Sequence, residues 1–215
     1  MSHAPRIIAG SLRGRRLIVP NDGVRPTKDR VKASIFSALD ARGLLTDAVV
    51  LDAYAGSGAL GFEALSRGAA SVVLVENDRA ALVALRSSVA SFGVGDQVKV
   101  VSQSIESVST HFSSTFDVAF VDPPYSTDSD RVAEVLAQIC ANTPGGTVVV
   151  ERPRRGGAVA IPDGWAVMWE RRFGDTLVQF IQPEFIQPGQ PDLPVQFSQA
   201  GPPEASLPVD LGGNS

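Results

Sequence analysis

From residue 49 onward the chain repeats one unit: a short β-branched, apolar run, a turn, then a stretch of helical periodicity. The runs are Val49 to Leu51, Val72 to Val75, Val98 to Val101, Val118 to Val121 and Thr147 to Val150. None alternates apolar with polar residues, so each is buried on both faces, the condition of a parallel sheet covered by helices. The expected fold is α/β, a mostly parallel, doubly wound sheet. Two later runs, Trp165 to Arg171 and Leu177 to Ile181, flank Phe173-Gly174-Asp175-Thr176 and predict an antiparallel closing hairpin. In it Trp165 and Trp169 are expected on one face, packed into the core.

The rest of the 215 residues falls before and after this unit. At the front, Arg6 to Ala9 and Arg16 to Val19 are β-rich around the turn glycines Gly10 and Gly14, which predicts a hairpin extension over residues 1–26. Thr27 is placed to cap a helix with Val31, Ile35 and Leu39 at i, i+4 and i+8, ended by Gly43. The main domain spans 27–182. The tail, 183–215, holds seven of the 15 prolines and four acids with no base, and shows neither strand nor helix period, so it is expected to be disordered.

Charge follows the same division. The net charge of −4 is an average, because residues 1 to 32 carry six arginines and two lysines against Asp22 and Asp29. A basic front on a neutral body points to a polyanion. One cysteine, Cys140, excludes a disulfide framework and suits a reducing compartment; in an apolar helix it reads as core. No apolar run reaches the ~20 residues of a membrane span, and the first residues lack an apolar leader core. The cytoplasm is the expected location. His3 and His111 have no acid or cysteine partners at ligand spacing, so no metal is expected.

Two segments carry chemistry. Leu51-Asp52-Ala53-Tyr54-Ala55-Gly56-Ser57-Gly58-Ala59-Leu60-Gly61 places a glycine-rich turn at the carboxyl end of the first parallel strand, where ligands bind in such sheets. Gly56, Gly58 and Gly61 match the dinucleotide pattern, and an NAD-dependent oxidoreductase is one reading of it. Asp52 argues otherwise, since a carboxylate at the strand end repels a pyrophosphate and attracts a cation. S-adenosylmethionine, with an ammonium and a sulfonium and no phosphate, fits that charge. Glu76 ends the next strand, 18 residues after Gly58, near the offset at which an acid meets ribose hydroxyls; Asn77 or Asp78 is the alternative.

Asp122-Pro123-Pro124-Tyr125 follows the fourth run, at the same sheet edge. Its two prolines have no N–H to donate, so the segment offers carbonyls, a carboxylate and an aromatic face. That set suits an exocyclic base amine: Asp122 and the Pro123 carbonyl accept its hydrogens, and Tyr125 stacks on the ring.

With these motifs the sequence resembles class I S-adenosylmethionine-dependent methyltransferases, in particular the RsmD-type family of 16S ribosomal RNA guanine-N2 methyltransferases. The carriers are Arg6-Ile7-Ile8-Ala9-Gly10 with Gly14-Arg15, Arg25-Pro26-Thr27, Leu51 to Gly61, Ser66-Arg67-Gly68-Ala69, Glu76 and Asp122 to Tyr125, spread from about Arg6 to Ile181. The resemblance implies a Rossmann-like class I methyltransferase fold with a seven-stranded sheet and an antiparallel closing strand. It implies that Asp52, Ala53, Gly56, Ser57 and Gly58 line the methionine end of the cofactor, Glu76 and Asn77 the ribose, and Ser104 and Ile105 the adenine, with Arg25 and Thr27 nearby. Asp122, Pro123, Pro124 and Tyr125 would hold the flipped guanine. Ser104 stands where the family usually has Asp, and Ala33, Ser37 and Ser88 stand where it has acidic and amide residues.

The basic front then gains a role: Arg6, Arg13, Arg15, Arg16 and Lys28 are expected beside the site mouth, gripping phosphates of 16S ribosomal RNA in a small subunit or its assembly intermediate. Arg152, Arg154 and Arg155, after the strand ending at Glu151, either extend that rim or solvate a loop. A monomer is expected. The tetrapeptide does not by itself name the amine, so adenine N6 and protein glutamine remain alternatives, as does a catalytically silent RNA-binding assembly factor.

Overall fold

The five β-branched runs form five adjacent parallel strands: β1 (Val49–Asp52), β2 (Ser71–Glu76), β3 (Val98–Ser102), β4 (Val118–Val121) and β5 (Thr147–Pro153). The last two runs become β6 (Trp165–Phe173) and β7 (Thr176–Pro183), which join antiparallel to complete a seven-stranded sheet in the order β3-β2-β1-β4-β5-β7-β6. The computed structural model describes residues 4–20, 29–153 and 159–184. Arg25, Thr27, Lys28, Arg154, Arg155 and the tail from residue 185 lie outside the described residues, while Pro183, expected in the tail, ends β7.

Winding changes direction at β1. From β1 the chain steps outward to β2 and β3, then returns to β4 on the other side of β1 and continues to β5. Helices α1 (Asp29–Asp40), α2 (Ala59–Ser66) and α3 (Arg79–Phe92) share one core with Val50 and Phe120; α4 (Ile105–Val108) and α5 (Ser129–Ala141) share the other with Leu51 and Val121. The period-2 alternation of β1, β2, β4 and β5 feeds both cores, which is why those runs are almost wholly apolar; β3, at the sheet edge, departs from the expected two-sided burial and leaves Lys99 exposed. Val31, Ile35 and Leu39 of α1 are buried as their spacing requires, and Cys140 packs inside α5, where burial pushes its thiol up to about 12.

The front is tied down only in part by its own pairing. The expected antiparallel pairing is present but short: one bridge, Arg6 with Arg16, and the backbone bonds Ile7 N to Arg15 O, Gly14 N to Ile7 O and Leu17 N to Pro5 O. Side chains supply what a longer ladder would have. Ile7 and Leu17 enter the core of the α1–α3 face, and buried Glu63 of α2 accepts from the Ile8 and Ala9 amides at 2.7 and 3.1 Å. Lys32 of α1, wholly buried, donates to Arg6 O and sits 3.3 Å from Glu63. Burial lowers the Lys32 pKa while Glu63 raises it. Ser88, one of the departures from the family pattern, accepts from Ile18 N.

The tryptophans part company. A register shift between Val167 and Trp169 places two residues against one step of β7, leaving Met168 59 % exposed. The bulge reverses the alternation, so Trp165 packs on the α5 side while Trp169 packs on the α1 side against Phe180, at 4.6 Å between ring centres. The expectation of a shared face fails because spacing counts residues, whereas a bulge removes one from the count.

Candidate active site

The reversal of winding leaves a crevice above the carboxyl ends of β1 and β4, the position at which open α/β sheets bind ligands. Both chemical motifs arrive there. Asp52 is register partner of Phe120, two residues before Asp122, and the Ala53 amide donates to Phe120 O at 3.0 Å.

The glycine turn owes its shape to two steric demands. Gly58, at the start of α2, has φ 75°, a left-handed conformation that favours glycine, and a Cβ there would lie 2.6 Å from the Phe62 ring. Gly61 faces the sheet so closely that a Cβ would overlap Leu74 and approach Val72 at 2.9 Å. These glycines serve a tight turn and a close helix–strand contact.

The turn's amides are already engaged by carboxylates. Asp52 Oδ2 accepts from Gly61 N at 2.9 Å, and Glu76 Oε2 accepts from Gly56 N at 2.8 Å while its Oε1 accepts from the Asn77 and Asp78 amides. A pyrophosphate would meet two carboxylates already bonded to amides of the turn, which disfavours the dinucleotide reading. The charge that remains is negative. Asp52 is 2 % exposed, and burial chiefly, with Asp122 and Glu76 adding, pushes its carboxyl up to about 7. Three converging carboxylates suit a cationic ligand such as the sulfonium and ammonium of S-adenosylmethionine. No group of three or more potential metal ligands occurs among the described residues.

Beside the turn opens a cleft of about 140 Å³. Ala53, Glu76, Asn77, Ser104 and Ile105 line it, so five residues chosen from the sequence are brought together. Asp78 caps α3, its Oδ1 accepting from Ala81 N at 2.8 Å, and does not line the cleft. The sequence reading missed Tyr54, Gln103 and Glu106, which also line the cleft. Tyr54 Oη and Glu106 Oε1 lie 3.5 Å apart, and burial raises the Tyr54 pKa further than that carboxylate does. Tyr54 stands inside the quoted glycine turn; Glu106 carried no signal beyond lying two residues past Ser104.

In the tetrapeptide Asp122 is half-buried, Pro123 buried, Pro124 exposed and Tyr125 46 % exposed. Pro124 reaches the cleft, joining the two motifs in one wall. The chain then turns through a Thr127 N to Pro124 O bond, and Asp128 caps α5. An open aromatic beside a half-buried carboxylate suits a flat, amine-bearing ligand entering from outside.

The basic front is not at the mouth. Helices α2 and α3 start at the carboxyl edge and descend; Ser11 N bonds Ser66 O and Arg15 Nη1 bonds Ser91 O, at their lower ends. Arg13 and Arg15 therefore occupy the amino edge of the sheet, about 20 Å down the length of α3. From Arg16 the chain climbs α3 toward the site, passing Ser88. Arg152, expected on a rim or loop, is buried at the end of β5.

A family model described as Conserved hypothetical protein 95 matches residues 5–182. Ribosomal RNA small subunit methyltransferase D of Escherichia coli strain K12 is 35% identical over 181 residues, covering 83% of this chain and 90% of that protein. Its namesake in Haemophilus influenzae is 34% identical over 176 residues, covering 79% and 89%. The solved structure of the Escherichia coli protein yhhF superposes with a TM-score of 0.75 at 36% identity, covering 84% of this chain and 98% of that one.

Proposed function

Since the chain belongs to the Conserved hypothetical protein 95 family, which includes the ribosomal RNA small subunit methyltransferases D, we propose that it methylates 16S ribosomal RNA, at the exocyclic N2 amine of one guanine, with S-adenosylmethionine as donor. The observation that carries this is the meeting of Asp122-Pro123-Pro124-Tyr125 with the Asp52 turn across the β1–β4 crevice.

The cofactor supplies an electrophilic methyl group. The chain's own residues do the rest. Asp52, Glu76 and Asp122 favour a cationic ligand in the crevice; Asn77, Ser104 and Ile105 flank its nucleoside end, with Arg25 and Thr27 assigned to the same ligand. The Asp122 carboxylate and the Pro123 carbonyl accept the two amine hydrogens, which turns the nitrogen lone pair out of the ring system and toward the methyl. As nitrogen bonds to the methyl carbon and the carbon–sulfur bond of the donor breaks to leave a neutral thioether, the surplus proton on nitrogen would pass to Asp122 Oδ and on to water. Tyr125 stacks on the base, typically ~1–3 kcal/mol, while holding amine and methyl in line supplies up to ~7–11 kcal/mol of the barrier. Positioning outweighs acid or base strength.

Methyltransferases take the target base out of its stack, which is cheapest where the base is unpaired. The arginines suit an extended substrate. Arg16 and Arg6 lie partway down the α2–α3 face and Arg13 and Arg15 at its foot, so the RNA tracks from the mouth down the α2–α3 face, Lys28 adding a further contact. The small ribosomal subunit or an assembly intermediate, met by a cytoplasmic monomer, is the partner that such a footprint fits.

Incubation with labelled cofactor and small subunits lacking the modification tests the reading: label on guanine N2 is expected, and label on a ring nitrogen, on protein or nowhere defeats it. Asp122→Ala should reduce turnover by at least ~10² and leave cofactor affinity within a few-fold. A variant retaining most activity would refute the role of Asp122.

A further inference from the structure

Arg152 is 4 % exposed at the carboxyl end of β5, yet its guanidinium has one acceptor among the described residues, Ser129 Oγ at 3.2 Å. Its Nε and Nη1 are buried and have no hydrogen-bond partner among the described residues. The buried pair Lys32 and Glu63 is compensated: Lys32 has Glu63 and Arg6 O, and Glu63 has Lys32, Arg67 and two amides; Oε2 of Glu151, beside Arg152 on the same strand, is the other buried side-chain atom that makes no hydrogen bond among the described residues. A buried cation with unmade hydrogen bonds costs stability, and such a group calls for an explanation, of which an arriving water, ion or ligand is one.

Its position says which ligand. The last register pair of β4 and β5 is Val121 with Val150, so Arg152 stands level with Pro123 of the tetrapeptide, one strand away. Ser129 opens the thirteen-residue α5, whose amino end favours negative charge. The positive charge of Arg152 is also felt at the Tyr54 hydroxyl in the cleft wall. Between Asp122 and Ser129 the chain passes through exposed Pro124, Tyr125 and Ser126, where a ligand can enter. Arg152 supplies the sign opposite to that of the Asp52, Glu76 and Asp122 carboxylates.

We propose that Arg152 anchors an anionic oxygen arriving with the substrates, its Nε and Nη1 donating to a phosphate of the target nucleotide or to the carboxylate of the cofactor's methionine. This rests on the methyl-transfer reading, from which its test is separable.

In the full-length unaltered protein the Nε–H resonance of Arg152, assigned by its loss in Arg152→Lys, is followed by NMR on adding S-adenosylhomocysteine or guanosine 5′-monophosphate. A shift with the nucleotide assigns the phosphate; a shift with S-adenosylhomocysteine but not with 5′-methylthioadenosine, which lacks the amino-acid end, assigns the carboxylate. Arg152→Met should correspondingly raise either the KM for small subunits or the Kd for S-adenosylhomocysteine about tenfold or more, with kcat within a few-fold and the other constant unmoved. If neither probe moves the resonance and both constants stay within twofold, the anchor is refuted and Arg152 is structural. Should Arg152→Met fail to fold, the resonance of the unaltered protein still decides. An unaltered protein that binds no S-adenosylhomocysteine and labels no RNA defeats the underlying reading; one that does both while Arg152 stays silent defeats only the anchor.

Discussion

Replacing Asp52 with Asn keeps an oxygen for the Gly61 amide and removes a titrating charge from the centre of the fold. The carboxyl rises from its ordinary 3.8 to about 7 on folding, mainly through burial. Between those values the native state holds a proton that the unfolded chain has lost, so stability falls as pH rises through this window. At 1.36 kcal/mol per pH unit, the window from 3.8 to about 7 corresponds to about 4 kcal/mol, and the penalty is complete once pH exceeds the folded value. Asp52→Asn should therefore match the parent near pH 4 and exceed it by about 4 kcal/mol at pH 8, equivalent to roughly 8–16 °C in Tm for a domain of this size. Urea or thermal unfolding of both proteins at pH 4.5, 6 and 8 measures the difference, in which other titrating groups cancel. The variant should also bind S-adenosylmethionine more weakly, a trade of affinity for stability. Parallel pH profiles for the two proteins would refute the argument.

Gly61→Ala brings a methyl into Leu74 and Val72 and should cost about 1–3 kcal/mol by overpacking, read as a lower urea midpoint at unchanged slope. Glu63→Gln leaves the buried Lys32 uncompensated and should cost about 3–5 kcal/mol in the same assay; a change below 1 kcal/mol would show that Arg6 O alone satisfies Lys32. Arg13→Ala with Arg15→Ala should lower the slope of log K against log salt for RNA binding by about 1.4, two phosphates at 0.7 each, with kcat unchanged. An unchanged slope would remove the foot of the α2–α3 face from the RNA footprint.

The inner strands were legible because parallel strands buried on both faces leave an apolar signature; β3 and the antiparallel β6 and β7, more exposed, were legible from β-branched and aromatic runs and the Gly174 turn. The glycine turn and the tetrapeptide were legible as strand ends for the same reason. What escaped notice depended on partners distant in sequence. That Asp52 and Glu76 engage turn amides, that Glu63 holds residues 8 and 9, and that Arg152 is interior are all consequences of tertiary placement. The place of the arginine-bearing turn was misjudged because charge identifies a surface but not which end of the sheet it covers; Ser66 and Ser91 fix that, through backbone contacts with no motif. The bulge at Met168 defeated face counting in β6 outright.

The way Glu63 and Lys32 grip residues 6 to 9 bears on how the chain can be engineered. A version starting at the first long helix would strip a carboxylate of two amide donors, deprive an ammonium of its carbonyl, and open the grooves that Ile7 and Leu17 fill. Such a truncation would aggregate rather than yield a minimal catalyst, and the leading segment cannot be grafted onto another scaffold without the two helices that clasp it.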